Sequence, residues 1–250
     1  MRRRIIAGNW KMYKTEQQTV EFFQHFNPLV VGISTCDIVI CPTFVTIPAA
    51  VRAAEGTMTQ IGGQNLYWGK EGAVTGEICG DMLRSVGCRW VLVGHSERRQ
   101  YFHESDADVL RKTQAALEAG LAPIICVGEK QEDRKAGKTE RVLIEQFAAG
   151  VAGLTEEQFS KVVIAYEPVW AIGTGQTATP GIAAQAHALI RAEAEKRFGA
   201  DAAHLLRILY GGSVKPDNIH NLMKEKELDG ALVGGASLDP QSFIQLVKAA

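Results

Sequence analysis

Eight short runs of apolar, β-favouring residues recur along the chain, separated by longer stretches of helical period, and no other feature restricts the fold as much. The runs are Ile5 to Gly8, Asp37 to Cys41, Gln60 to Gly63, Trp90 to Val93, Pro123 to Val127, Val162 to Ala165, Arg207 to Tyr210 and Ala231 to Val233. Most are continuously apolar, as in Ile38-Val39-Ile40 and Val162-Val163-Ile164. Strands covered on both faces read this way, whereas an antiparallel sheet with one wet face would alternate. The segments between them carry helix-start signals. Thr15-x-x-Gln18, Ser105-x-x-Asp108 and Thr155-x-x-Gln158 have capping-box spacing, and Thr179-Pro180 and Asp239-Pro240 set a cap residue before a first-turn proline. Leu143, Phe147 and Val151 recur every fourth residue, with Glu140, Arg141 and Glu145 on the other side. The chain of 250 residues thus divides into βα units of roughly 31 residues, and a single domain over 1–250 uses all of it. Such units build an α/β fold, either a closed (β/α)8 barrel or an open doubly wound sheet, and periodicity does not separate the two. Closure would let residues after strand 1 share a site with residues after strands 4, 6, 7 and 8.

Composition narrows the function. Lys plus Arg number 27 against 28 Asp plus Glu, a net charge of -1, so no global basic field exists to wrap nucleic acid or press onto an anionic membrane. An anionic ligand needs a local site. The five cysteines (Cys36, Cys41, Cys79, Cys88, Cys126) lack C-x-x-C spacing and sit mostly in apolar runs, which reads as reduced thiols in a cytoplasmic protein. Met1-Arg2-Arg3-Arg4 looks like the start of a secretion signal, but only Ile5-Ile6-Ala7 follows before the polar Gly8-Asn9-Trp10-Lys11, so no secretory signal is expected. No run is long enough to span a bilayer.

Polar and glycine-rich clusters gather just after the apolar runs, where loops build sites in this architecture. In Gly8-Asn9-Trp10-Lys11, Lys11 is either a solvated loop residue or a fixed cation, with the Asn9 amide beside it, for an oxyanion or phosphate. His95 follows a buried run and a glycine and opens Ser96-Glu97-Arg98-Arg99. If that stretch turns into helix, its backbone N–H groups disfavour imidazolium, leaving a neutral donor for a developing enediolate; a satisfied core histidine is the alternative. Glu167 follows Ile164-Ala165-Tyr166 and precedes Pro168-Val169-Trp170-Ala171-Ile172. Apolar cover over this carboxylate would raise its pKa towards that of a general base, and a strand-end salt bridge is the other reading. The segment 168–178, apolar first and then Gly173-Thr174-Gly175, has the composition of a lid. Gly173-x-Gly175-x-x-Ala178 mimics a dinucleotide fingerprint, but its first glycine does not directly follow a strand. Finally, Tyr210-Gly211-Gly212-Ser213 and Val233-Gly234-Gly235-Ala236-Ser237 close the seventh and eighth runs. Paired glycines let backbone N–H groups approach an anion, and in a (β/α)8 barrel a phosphate commonly sits at these two loops.

Together these clusters resemble the triosephosphate isomerase family over essentially the whole chain. The resemblance rests on Ala165-Tyr166-Glu167-Pro168-Val169-Trp170-Ala171-Ile172-Gly173-Thr174-Gly175, on Ala7-Gly8-Asn9-Trp10-Lys11-Met12, and on Val93-Gly94-His95-Ser96-Glu97-Arg98-Arg99. Cys126-Val127-Gly128-Glu129, Tyr210-Gly211-Gly212-Ser213-Val214 and Leu232-Val233-Gly234-Gly235-Ala236-Ser237 complete it, in family order. It implies the closed (β/α)8 barrel, eight parallel strands surrounded by helices, and an isomerase of glycolysis and gluconeogenesis that moves a proton between two carbons of a triose phosphate, using no metal and no cofactor. It further implies Glu167 as base, His95 as neutral electrophile, Lys11 and Asn9 supporting charge, and Glu97 and Ser96 beside them. Gly173, Ser213, Gly234 and Gly235 would hold the phosphate. The resemblance also implies a homodimer, with the apolar loop 64–77 inserting into the partner near Thr75. Val74, Cys79-Gly80 and Tyr13 depart from the family pattern and bear on that contact, not on the chemistry. A Schiff-base aldolase using Lys11, or a silent sugar-phosphate-binding barrel, are the competing readings.

Overall fold

The structure, a computed structural model, describes residues 2–172 and 177–250. Its eight strands are β1 (Arg4–Asn9), β2 (Cys36–Cys41), β3 (Thr59–Gly63), β4 (Trp90–Val93), β5 (Ala122–Val127), β6 (Val163–Tyr166), β7 (Arg207–Tyr210) and β8 (Gly230–Val233). Each lies within one residue of its expected bounds. They pair in parallel in sequence order and close, β1 bonding to β2 on one side and to β8 on the other, with Ile5 opposite Gly230 and Gly8 opposite Val233. Closure decides between the two architectures left open by periodicity. Gly230 makes the seam possible: its φ is +137°, and a Cβ there would lie 1.8 Å from the Ile5 carbonyl oxygen.

Alternation along each strand explains why the runs are continuously apolar. Ile5, Ala7, Val39, Cys41, Leu92, Ile124, Cys126, Val163, Ala165, Leu209 and Leu232 fill the barrel. Their neighbours Ile6, Ile38, Ile40, Val91, Val93, Ile125 and Ile164 face the surrounding helices. Both sides are dry, so neither admits a polar residue cheaply. The helix caps form as spaced. Thr15, Ser105 and Thr155 make reciprocal capping boxes with Gln18, Asp108 and Gln158, and Thr179 and Asp239 cap the helices that begin at Pro180 and Pro240, the first of them broken at Gly199 (φ +83°). Those caps fix where each of these helices begins.

The arginine run at the start is a clasp at the far end of the barrel from the glycine-rich loops. Arg2 bonds Asp229 at 2.5 Å, Arg3 bonds Asp37 at 2.6 Å, and Arg4 bonds the Met223 carbonyl at 2.7 Å. The five thiols are buried and unpaired; burial pushes the Cys88 thiol up to about 12 and Cys41 upward as well. Among the described residues, no helix is long and apolar enough to cross a membrane.

Candidate active site

Because β1 and β8 are neighbours, the loops after β1, β4, β6, β7 and β8 open onto one cavity of about 840 Å³. Asn9, Lys11, His95, Ser96, Glu97, Glu167, Ser213, Gly234 and Gly235 all line it.

Asn9 ends β1, and its side-chain oxygen accepts the Lys11 N–H at 3.0 Å. Lys11 takes a left-handed φ of +52° there, which aims its side chain across the barrel mouth. Its ammonium meets Glu97 Oε1 at 2.6 Å and its stem passes beside Gly234. Gln64, just after β3, donates to the carbonyls of Lys11 at 2.8 Å and Cys41 at 2.9 Å, bracing this turn from below.

His95 caps the helix Ser96–Tyr101. Its Nδ1 accepts the Glu97 N–H at 3.2 Å, which leaves Nε2 to carry the proton, and Nε2 lies 2.9 Å from Glu167 Oε1. Glu167 also accepts from the Ser96 N–H at 2.9 Å and, at 3.3 Å, from the Ser96 hydroxyl. The site thus holds a buried carboxylate and a buried imidazole against each other.

The geometry corrects two electrostatic expectations. Burial raises the Glu167 pKa as expected, but His95, the Ser96 N–H and Lys11 outweigh it, and the carboxyl is held below its ordinary value. Glu167 is buried, Val169 and Ile172 line the same cavity, and the carboxylate is met there by polar donors, the Ser96 N–H and hydroxyl and His95 Nε2. For His95, burial pushes the pKa down, yet the carboxylates of Glu167 and Glu97 push it up by more. The helix start does aim an N–H at Nδ1; the adjacent Glu167 is what overrides it.

Glu129 and Gly128, quoted only as part of a motif, have structural roles that spacing did not reveal. Glu129 is wholly buried and accepts from the Tyr166 hydroxyl, Trp170 Nε1 and Arg134. It ties the residues on either side of Glu167 to the β5 loop. A Cβ on Gly128 would fall 1.7 Å from the Glu167 carbonyl oxygen, so only glycine lets the end of β6 pass so close. The sequence signal for both was position alone, directly after a buried strand.

Gly173 and the middle of the segment 168–178 lie outside the described residues. In the loop 64–77, Asn65 and Leu66 are buried in the chain's own body and Trp68 packs under Arg111, 4.0 Å from the guanidinium carbon. Thr75 lies in the exposed stretch beyond them.

The triosephosphate isomerase family model matches residues 4–250. Curated relatives named triosephosphate isomerase include one from Solibacter usitatus, 60% identical over 99% of this chain and 100% of that protein. Another, from Moorella thermoacetica, is 51% identical over 99% of each. The crystal structure of triosephosphate isomerase from Bartonella henselae superposes with a TM-score of 0.89 at 38% identity, over 99% of this chain and 98% of that one. With its closed barrel and a strand-end site shared by five loops, this chain belongs to the triosephosphate isomerase family.

Proposed function

We propose that this isomerase interconverts dihydroxyacetone phosphate and D-glyceraldehyde 3-phosphate through an enediolate, a step shared by glycolysis and gluconeogenesis, with Glu167 as the base. The observation that carries the reading is convergence. A buried carboxylate from β6, an imidazole from β4 and an ammonium from β1 meet at a cavity whose other wall is Ser213 and Gly234–Gly235.

Removing a proton beside a carbonyl puts negative charge on the oxygens, so the barrier falls only where donors already point at them. His95 Nε2–H and the Lys11 ammonium are those donors, with the Asn9 side chain holding the Lys11 turn and Glu97 anchoring the Lys11 head. In this arrangement the Nε2–H is spent on Glu167. A substrate oxygen that takes this donor releases the carboxylate from His95, and leaving Ser96 then frees Glu167 to reach the carbon-bound proton. Departure from those partners also removes what depresses its pKa, which strengthens it as a base when it is needed. The phosphate is held at the far wall by the Ser213 hydroxyl and the backbone of Gly234 and Gly235. Lys11 faces a carboxylate partner, which supports a fixed cation over a Schiff-base nucleophile.

The test is a coupled assay on dihydroxyacetone phosphate with no metal or cofactor added to the isomerase. Rapid conversion is expected. No conversion, or a borohydride-trapped adduct on Lys11, would overturn the reading.

We also propose a homodimer of a cytoplasmic protein. Met12, Tyr13, Val45, Tyr101 and Phe102 are large, apolar and exposed, Met12 at 91% and Val45 at 84%, and Gln64 ties the loop 64–77 to Lys11, next to Met12 and Tyr13 in the chain. Exposed apolar area of this kind supports a partner surface, and sedimentation equilibrium at twice the monomer mass is the expected result.

A further inference from the structure

One wholly buried hydroxyl beside the phosphate wall is left without a role by the chemistry above. Ser237 donates its Oγ–H to the Gly234 carbonyl at 2.7 Å, and its own backbone N–H donates to the same oxygen at 2.9 Å. Its carbonyl in turn accepts Trp10 Nε1 at 3.1 Å. Trp10 is itself wholly buried, edge-on to Phe22 at 4.8 Å, and stands between Asn9 and Lys11 in sequence.

The direction of one peptide follows. In a planar trans peptide the carbonyl and the next N–H point opposite ways, and no described peptide bond is cis. Two donors from Ser237 draw the Gly234 carbonyl into the protein. The Gly235 N–H on the same peptide is thereby turned towards the cavity that Gly234 and Gly235 line. With Ser237 buried, water cannot replace its hydroxyl on that carbonyl, so the peptide has little freedom to rotate.

We infer that Ser237 is a positioning residue for phosphate recognition: its hydroxyl holds the Gly234–Gly235 peptide with the Gly235 N–H presented to the substrate phosphate. Trp10 fastens that loop to the segment carrying Asn9 and Lys11. The inference rests on the reading of the cavity as a triose phosphate site and adds the residue that sets its anion-binding geometry.

The experiment is Ser237→Ala, with kcat, KM, the melting temperature, and affinity for inorganic phosphate from a titration of the Gly235 amide resonance. Loss of one hydrogen bond that orients a donor should raise KM and the phosphate dissociation constant together by about 3- to 10-fold, with kcat within about 2-fold of the wild type. Unchanged KM and phosphate affinity would overturn the inference. So would a fall in kcat that tracks a lowered melting temperature while KM and phosphate affinity stay fixed. Trp10→Phe, which keeps the packing and loses the Nε1–H, should move the same two constants in the same direction. A wild type without isomerase activity would refute the functional reading instead, and the phosphate titration, which needs no turnover, would still decide the role of Ser237.

Discussion

His95 Nε2 and Glu167 Oε1 are hydrogen-bonded to each other at 2.9 Å across the barrel mouth, so each sets the other's protonation before substrate arrives. Replacing the imidazole acts on both. His95→Gln should lower kcat by about 10²- to 10³-fold, the usual cost of losing an oxyanion donor. It should also let burial dominate at Glu167. The carboxyl is now held low by His95; without that partner its pKa rises, and the acid limb of the kcat/KM profile moves to higher pH. A profile that stays in place would contradict the coupling.

Gly128 sits where a Cβ would strike the Glu167 carbonyl oxygen at 1.7 Å. Backbone cannot yield as a flexible side chain does, so Gly128→Ala must push the β6 end away from β5. Misplacing a base by about 1 Å costs on the order of 100-fold. Loss of that order in kcat is expected, checked by steady-state kinetics on folded protein.

Away from the site, His187 is wholly buried, and burial pushes its pKa down from 6.5 to about 3. The folded state therefore resists the proton that the unfolded state accepts. Stability from this group is complete above about pH 6.5 and is lost as the pH falls towards 3, at about 1.4 kcal/mol per pH unit within that window. Melting temperatures recorded between pH 7 and pH 4 should fall less steeply for His187→Gln than for the wild type.

Much of this was legible in residues whose role is local. A strand buried on both faces must be continuously apolar, so Ile38-Val39-Ile40 and Val162-Val163-Ile164 marked their own positions, and Thr15, Ser105 and Thr155 marked helix starts through bonds only three residues long. Strand-end position likewise exposed Lys11, His95 and Glu167. What the sequence withheld depends on contacts made after closure. Which polar donors meet the buried Glu167 is set by what the end of β4 presents to the end of β6, 71 residues away. The brace from Gln64 to Lys11 spans 53 residues and the bond from Trp10 to Ser237 spans 227; neither has a local pattern. Gly128 looks like any loop glycine until the neighbouring strand is placed against it.

The proposed mechanism stands or falls on Glu167 as the proton-moving group. Glu167→Gln keeps the size and the hydrogen-bonding reach of the side chain and removes its basicity. It should lower kcat on dihydroxyacetone phosphate by at least about 100-fold while affinity for inorganic phosphate stays within about 2-fold, because Ser213, Gly234 and Gly235 are untouched. A Glu167→Gln protein that turns over like the wild type would contradict it.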